Sequence, residues 1–167
     1  MFKKIFILCL GVASFSNVWA DDVEDIEEVK ALYDNLSAED KEEFKKRFRA
    51  NGWMDASSGR EYQSYMHYDY VKPLPYGKVE VWLKSVVIND LTKDGLSLGD
   101  YSMELVQYNC NDRTSKNISY TDYSKTTGKV INSYTYPTYD NFKAVIPESV
   151  GESRLEGACL INHIKTH

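Results

Sequence analysis

Cysteine, histidine, basic charge and long apolar runs are all scarce in this chain, and each scarcity closes off a class of protein. Three cysteines and three histidines in 167 residues leave no paired set of ligands at zinc spacing; His163 follows Cys159 by four residues, with no second pair nearby. Lys and Arg total 20 against 25 Asp and Glu, a net charge of −5, and no basic run reaches five residues. That balance argues against a nucleic-acid backbone or an anionic membrane as partner. The longest apolar run, Ile5 to Phe15, is 11 residues, well short of the ~20 that a membrane-spanning helix requires. No repeat or low-complexity stretch interrupts the chain.

What is present at the start is Lys3 and Lys4, the apolar run, then Val18-Trp19-Ala20 before Asp21-Asp22. Charged, apolar and small residues in that order make a secretory signal, with cleavage expected between Ala20 and Asp21. Cys9 lies inside the apolar run instead of just past it, so no lipid anchor is expected. Taking 20 residues from 167 leaves 147, enough for one domain. Losing Lys3 and Lys4 moves the net charge from −5 to −7.

Removal of the signal leaves two cysteines, Cys110 and Cys159, in an exported and therefore oxidising setting. A single pair has one intramolecular connectivity. It would close a separation of 49 residues, worth about 4 kcal/mol in the chain-entropy account. A free thiol or an intermolecular bridge is the competing reading of Cys110.

The pattern from 21 to 52 is helical. Val23, Ile26, Val29, Leu32 or Tyr33, and Leu36 form one apolar stripe. Ser37 then caps a second helix with Asp40 as a short capping box, and Asn51-Gly52 ends it. Glu42 with Lys46 and Glu43 with Arg47 are i,i+4 pairs, and Phe44 and Phe48 supply a narrow apolar line. From Trp53 to His167 the chain reads as one β-rich domain. Strands are expected at 61–70, 78–88, 101–110, 117–124 and 129–136, with a short one at 142–146. Pro73-Leu74-Pro75-Tyr76-Gly77, Asp94-Gly95, Asn111-Asp112 and Thr127-Gly128 supply the turns. Connections this short favour antiparallel neighbours. Val79, Val81, Leu83 and Val87 share one face while Trp82, Val86 and Ile88 share the other, so cover is expected on both sides. The fold class is α+β: an antiparallel sheet of five to six strands with the N-terminal helices on one face. After Pro147 a brief helical segment brings Cys159 back to the sheet.

Catalytic patterns are few. Gly95-Leu96-Ser97-Leu98-Gly99 has the G-x-S-x-G form of a hydrolase nucleophile elbow, but an Asp-Gly turn precedes it and a β-pattern follows, where an elbow needs a strand before and a helix after. His67, His163 and His167 are scattered. Asp90, Asp94 and Asp100 crowd one loop without the spacing of a calcium loop. No enzyme activity, cofactor or metal is expected. Thirteen tyrosines are the most suggestive feature, with Tyr62, Tyr65, Tyr68, Tyr70 and Tyr76 within 15 positions. Such residues anchor protein interfaces, although β-propensity accounts for tyrosine in strands as well. Tyr62 and Tyr68 are expected on one strand face and Tyr65 on the other.

Trp53, Tyr68-Asp69, Gly77-Lys78-Val79-Glu80-Val81-Trp82, Tyr108-Asn109-Cys110, Thr127-Gly128-Lys129-Val130 and Val145-Ile146-Pro147-Glu148-Ser149-Val150-Gly151-Glu152 follow one another before Cys159. This succession resembles the surface-adhesin protein E family of Gram-negative bacteria. The resemblance implies a small antiparallel sheet with helix packed into its concave side, disulfide partners at Cys110 and Cys159, and a non-enzymatic role. The founding member binds host matrix and serum proteins such as vitronectin, laminin and plasminogen, and is a lipoprotein; this sequence departs on the lipid-attachment cysteine. The implied setting is the periplasm or the cell surface, with a host or envelope protein as partner. A periplasmic inhibitor or immunity-type protein is the alternative, and oligomeric state is unspecified.

Overall fold

The computed structural model describes residues 26–92 and 94–167, so Ala20 and Asp21 lie outside the described residues. Two helices come first, α1 (Ile26–Asp34) and α2 (Ala38–Ala50). Seven strands follow: β1 (Trp53–Ser58), β2 (Tyr62–Leu74), β3 (Lys78–Val87), β4 (Tyr101–Asn109), β5 (Thr114–Tyr123), β6 (Val130–Thr135) and β7 (Lys143–Ala144). The last element is α3 (Val150–Thr166).

The helical hairpin forms where the sequence places it. Ser37 Oγ accepts the Asp40 amide at 3.1 Å and donates to Asp40 Oδ2 at 2.6 Å, holding the start of α2. Glu43 pairs with Arg47 at 2.8 Å as expected. Glu42 pairs with Lys45 at 3.2 Å, one residue short of the expected Lys46, since i,i+3 neighbours share that helix face as well.

Strands β1 to β6 run in chain order across one sheet, every pair antiparallel, with β7 added to β5. Short turns dictate this meander. At the β2–β3 turn Tyr76 and Gly77 both have positive φ, 62° and 69°. Gly77 has a second reason to be glycine: a Cβ there would collide with the Asn111 side chain of the β4–β5 turn. Its carbonyl accepts the Cys110 amide at 2.9 Å. The two turns therefore fix the end of β4, where the disulfide begins.

β3 alternates as read: Val79, Val81, Leu83 and Val87 are buried on an inner face while Trp82 faces outward. The inner face is covered mainly by α3. This helix is 17 residues long, not brief, with Ser149 as N-cap accepting the Glu152 amide at 3.2 Å. Leu155, Ala158, Leu160, Ile161 and Ile164 are each at most 2% exposed. A helix buried on nearly all sides needs two neighbours. Below it lies the sheet, and above it α1, whose Tyr33 hydroxyl donates to the Ile164 carbonyl at 3.0 Å. The N-terminal helices also reach the sheet itself, at β2, where Phe48 meets Tyr68 edge-on with ring centres 5.8 Å apart. Helix α3 is thus held between the sheet and α1, while α2 packs beside it on β2, all around one core. Cys110 and Cys159 are bridged with Cα atoms 5.7 Å apart, fastening the middle of α3 to the end of β4.

Candidate binding surfaces

Strand register lines up inward positions in rungs, and the rungs change character across the sheet. Met66, Leu83, Glu104, Tyr120 and Tyr134 form one rung, apolar under α3 and polar beyond it. The neighbouring rung, Ser64, Ser85, Ser102, Asp122 and Asn132, is polar throughout, although Ser64, Ser85, Ser102 and Asp122 are buried. Buried polar groups need partners, and here the partner comes from the second turn of α3. Arg154 is 18% exposed at its side chain and donates to Ser57, Ser64 and Ser85, and to Glu104 Oε2 at 3.4 Å. Ser85 Oγ also donates to Glu104, and Ser102 Oγ to Asp122 Oδ1, each at 2.5 Å.

Beyond the reach of α3 the inner face opens into a groove of about 260 Å³. Its floor is Ser102, Glu104, Asn117, Tyr120, Asp122 and Asn132; Tyr62, Asp94 and Leu96 form one wall and Tyr136 another. The Tyr62 hydroxyl donates to Asp94 Oδ2 at 2.5 Å. That bond, with the Leu96 amide, holds the Asp94 carboxyl below its usual range, while burial pushes the Tyr62 hydroxyl up.

The outer face carries no helix among the described residues, so the cover expected on both sides is present on one only. Alternate positions put Asp55, Tyr65, Lys84, Met103 and Thr121 in one outward rung, and Val86, Tyr101 and Tyr123 in the next. Trp82, 37% exposed, stands opposite Leu105. The side chains shield one another instead of being covered. Trp53, His67 and Tyr70 cluster with ring centres 4.8 to 5.6 Å apart; Tyr101 stacks on Tyr123 at 5.1 Å, and Lys84 Nζ lies 4.8 Å above Tyr101.

The five tyrosines singled out in the sequence do not form one patch. Tyr68 is core, 3% exposed; Tyr62 is on the same inner face but belongs to the groove; Tyr65 and Tyr70 face outward; Tyr76 stands 88% exposed at the β2–β3 turn. Tyr62 and Tyr68 share the inner face and Tyr65 the outer by simple alternation, as expected; Tyr70 is turned outward by a register shift between Met66 and Val71, where β2 has three more residues than β3 and an odd insertion reverses the alternation downstream. The G-x-S-x-G segment lies in the β3–β4 loop with no helix after it, and the Ser97 amide donates to Asp100. Asp94 and Asp100 act as turn caps, accepting the Leu96, Ser97 and Lys125 amides. Among the described residues no His, Cys, Asp and Glu set is arranged to hold a metal ion. His163 bonds Asp34 at 2.7 Å and stacks on His167, while His67 Nδ1 accepts the Asp69 amide.

Sequence reasoning missed Arg154, Glu104, Asp122 and the Tyr120, Tyr134 and Tyr136 group. Their one signal was the switch within β4 from inward Ser102 and Glu104 to inward Val106 and Tyr108, which marks where cover changes along a single strand.

The model of the family described as surface-adhesin protein E matches residues 53–160. Neither a curated protein nor a solved structure matches the chain. The matched span contains the whole sheet, both cysteines and most of α3, and no described helix is long and apolar enough to cross a membrane. On a match over well over half its length, the chain belongs to the surface-adhesin protein E family.

Proposed function

We propose that the protein is exported and acts by binding another protein, a host matrix or serum protein or an envelope component, on the outer face of its sheet, without catalysis. The observation that carries this reading is that face itself. It keeps Trp53, Tyr65, Tyr70, Trp82, Tyr101 and Tyr123 on one unlayered side of a sheet, and aromatics with one apolar side and one polar end are the usual anchors of protein interfaces. Register also gives this face Lys72, Lys78, Lys84 and Lys116 against Asp55 and Glu80. In a chain of net charge −5 that local excess of lysine selects a partner surface with an apolar centre and an acidic rim. The family supports a role in surface adhesion. The signal-like segment before Asp21 supports export, and the capped loop around Ser97 supplies no nucleophile elbow.

The test immobilises the mature protein and measures capture from serum, purified matrix proteins and envelope extract. Trp82→Ser combined with Lys84→Glu should lower affinity for the captured partner at least tenfold, the effect of losing one hot spot, with an unchanged melting temperature. Partners retained equally by this variant, or none captured above a bare matrix, would overturn the reading. Capture from envelope extract alone, with the same dependence on Trp82, would favour the inhibitor or immunity-type role over adhesion.

A further inference from the structure

We propose that the groove at the open end of the inner face is a socket for a basic side chain, guanidinium before ammonium, presented by a protein partner. Size is the first argument. At about 260 Å³ it falls just under the range of roughly 300 to 1,000 Å³ typical of small-molecule and cofactor pockets, and suits one long side chain entering from outside.

Charge is the second. Asp94, Glu104 and Asp122 line the groove, and the cation nearest in the network, Arg154, is already committed to Glu104 and three serines. Asp122 is 8% exposed. Its Oδ1 accepts Ser102, and among the described residues no cation pairs with this carboxylate, which lines the groove. A carboxylate set among protein atoms but open on its groove side can take a cation there, and the charge-assisted hydrogen bond it forms is stronger than one between neutral groups.

The walls are the third argument. Tyr62, Tyr120 and Tyr136 flank the carboxylates, and an aromatic face beside an acid is the environment a planar guanidinium fills by stacking and paired hydrogen bonds together. The Tyr62 and Tyr136 hydroxyls are pushed up by burial, so neither adds a competing charge. The socket lies on the face opposite the aromatic docking surface. It shares with that reading only the premise that the ligand belongs to a protein.

The experiment titrates isotope-labelled mature protein with Nα-acetyl-arginine methylamide, its neutral citrulline counterpart, the lysine counterpart and glucose, following backbone amide shifts. The arginine probe should move the Ser102, Asp122 and Asn132 amides saturably, with the lysine probe weaker and citrulline at least tenfold weaker. Asp122→Asn keeps an acceptor for Ser102 and should lower arginine affinity tenfold or more. Asp94→Asn, which leaves the sheet untouched, should lower it severalfold and decides the matter if the first variant folds poorly. Trp82→Ser should bind the probe like the parent, so loss of outer-face capture and loss of the socket are read separately. Equal shifts from citrulline, saturation by glucose instead of arginine, or undiminished binding in both carboxylate variants would each overturn the proposal.

Discussion

The two halves of the inner face are built on the same strands and answer to different solvents. Under α3, inward positions are Met66, Val81, Leu83 and Val79, each at most 2% exposed. Past its edge the rung of Met66 and Leu83 continues as Glu104, Tyr120 and Tyr134, and all six residues of β6 are exposed. Strand pairing is continuous across the boundary, so hydrogen bonding between strands does not distinguish the halves. The difference is cover. Where a helix removes water, burying apolar surface at roughly 25 cal/mol per Å² sets residue choice; where it does not, the sheet is free to carry polar chemistry. Arg154, Glu104 and the serine rung lie on the seam and let one helix serve both sides.

Four substitutions sharpen or break that contrast, in decreasing order of expected effect. Cys110→Ser releases α3 from β4 and should cost roughly 2 to 5 kcal/mol in a denaturant or thermal melt; an unchanged melt would mean that packing alone holds the covered half. Leu160→Ala leaves a cavity in the layer shared by α3 and its neighbours, with an expected loss of about 3 kcal/mol, read from the urea midpoint at constant m-value. Ser149→Ala removes the cap that starts α3 and should cost about 1 kcal/mol, with the disulfide intact by thiol labelling. Tyr134→Ser lies on the open half, 47% exposed, and should change stability by no more than about 0.5 kcal/mol. A loss there as large as that of Leu160→Ala would erase the distinction between the halves.

Much of the covered half was legible in the sequence because burial imposes a period. The alternation of Val79 to Val87, the capping pair Ser37 and Asp40, and the single cysteine pair each follow from one local rule. β1 escaped notice because Asp55, Ala56, Ser57 and Ser58 have little β-propensity; it forms by pairing with β2. α3 read as brief because a helix buried on almost every side has no polar stripe to mark it, and Gly151 and Gly157 lie within it. A Cβ at Gly157 would meet Met66 Cε at 3.7 Å, an ordinary contact, so packing there does not itself call for glycine. Alternation placed Tyr62, Tyr65 and Tyr68 as read, but Tyr70 was turned by a bulge that leaves no trace in composition. The groove was illegible for a deeper reason: its carboxylates come from one loop and two different strands, and only register brings them together.

The place of α3 also sets a timetable. It follows every strand in chain order, yet it is the element on which the sheet rests, and Tyr33 waits 131 positions for the carbonyl it bonds. A chain emerging from its N-terminus therefore displays Val79, Val81 and Leu83 uncovered until residues beyond Ser149 arrive. Such distant contacts close slowly, and a chain halted before α3 has a sheet with neither side protected. Maturation of this protein is accordingly governed by a segment made after all its described strands, and a chain paused at Ser149 should remain open to protease until the helix that covers the sheet is added.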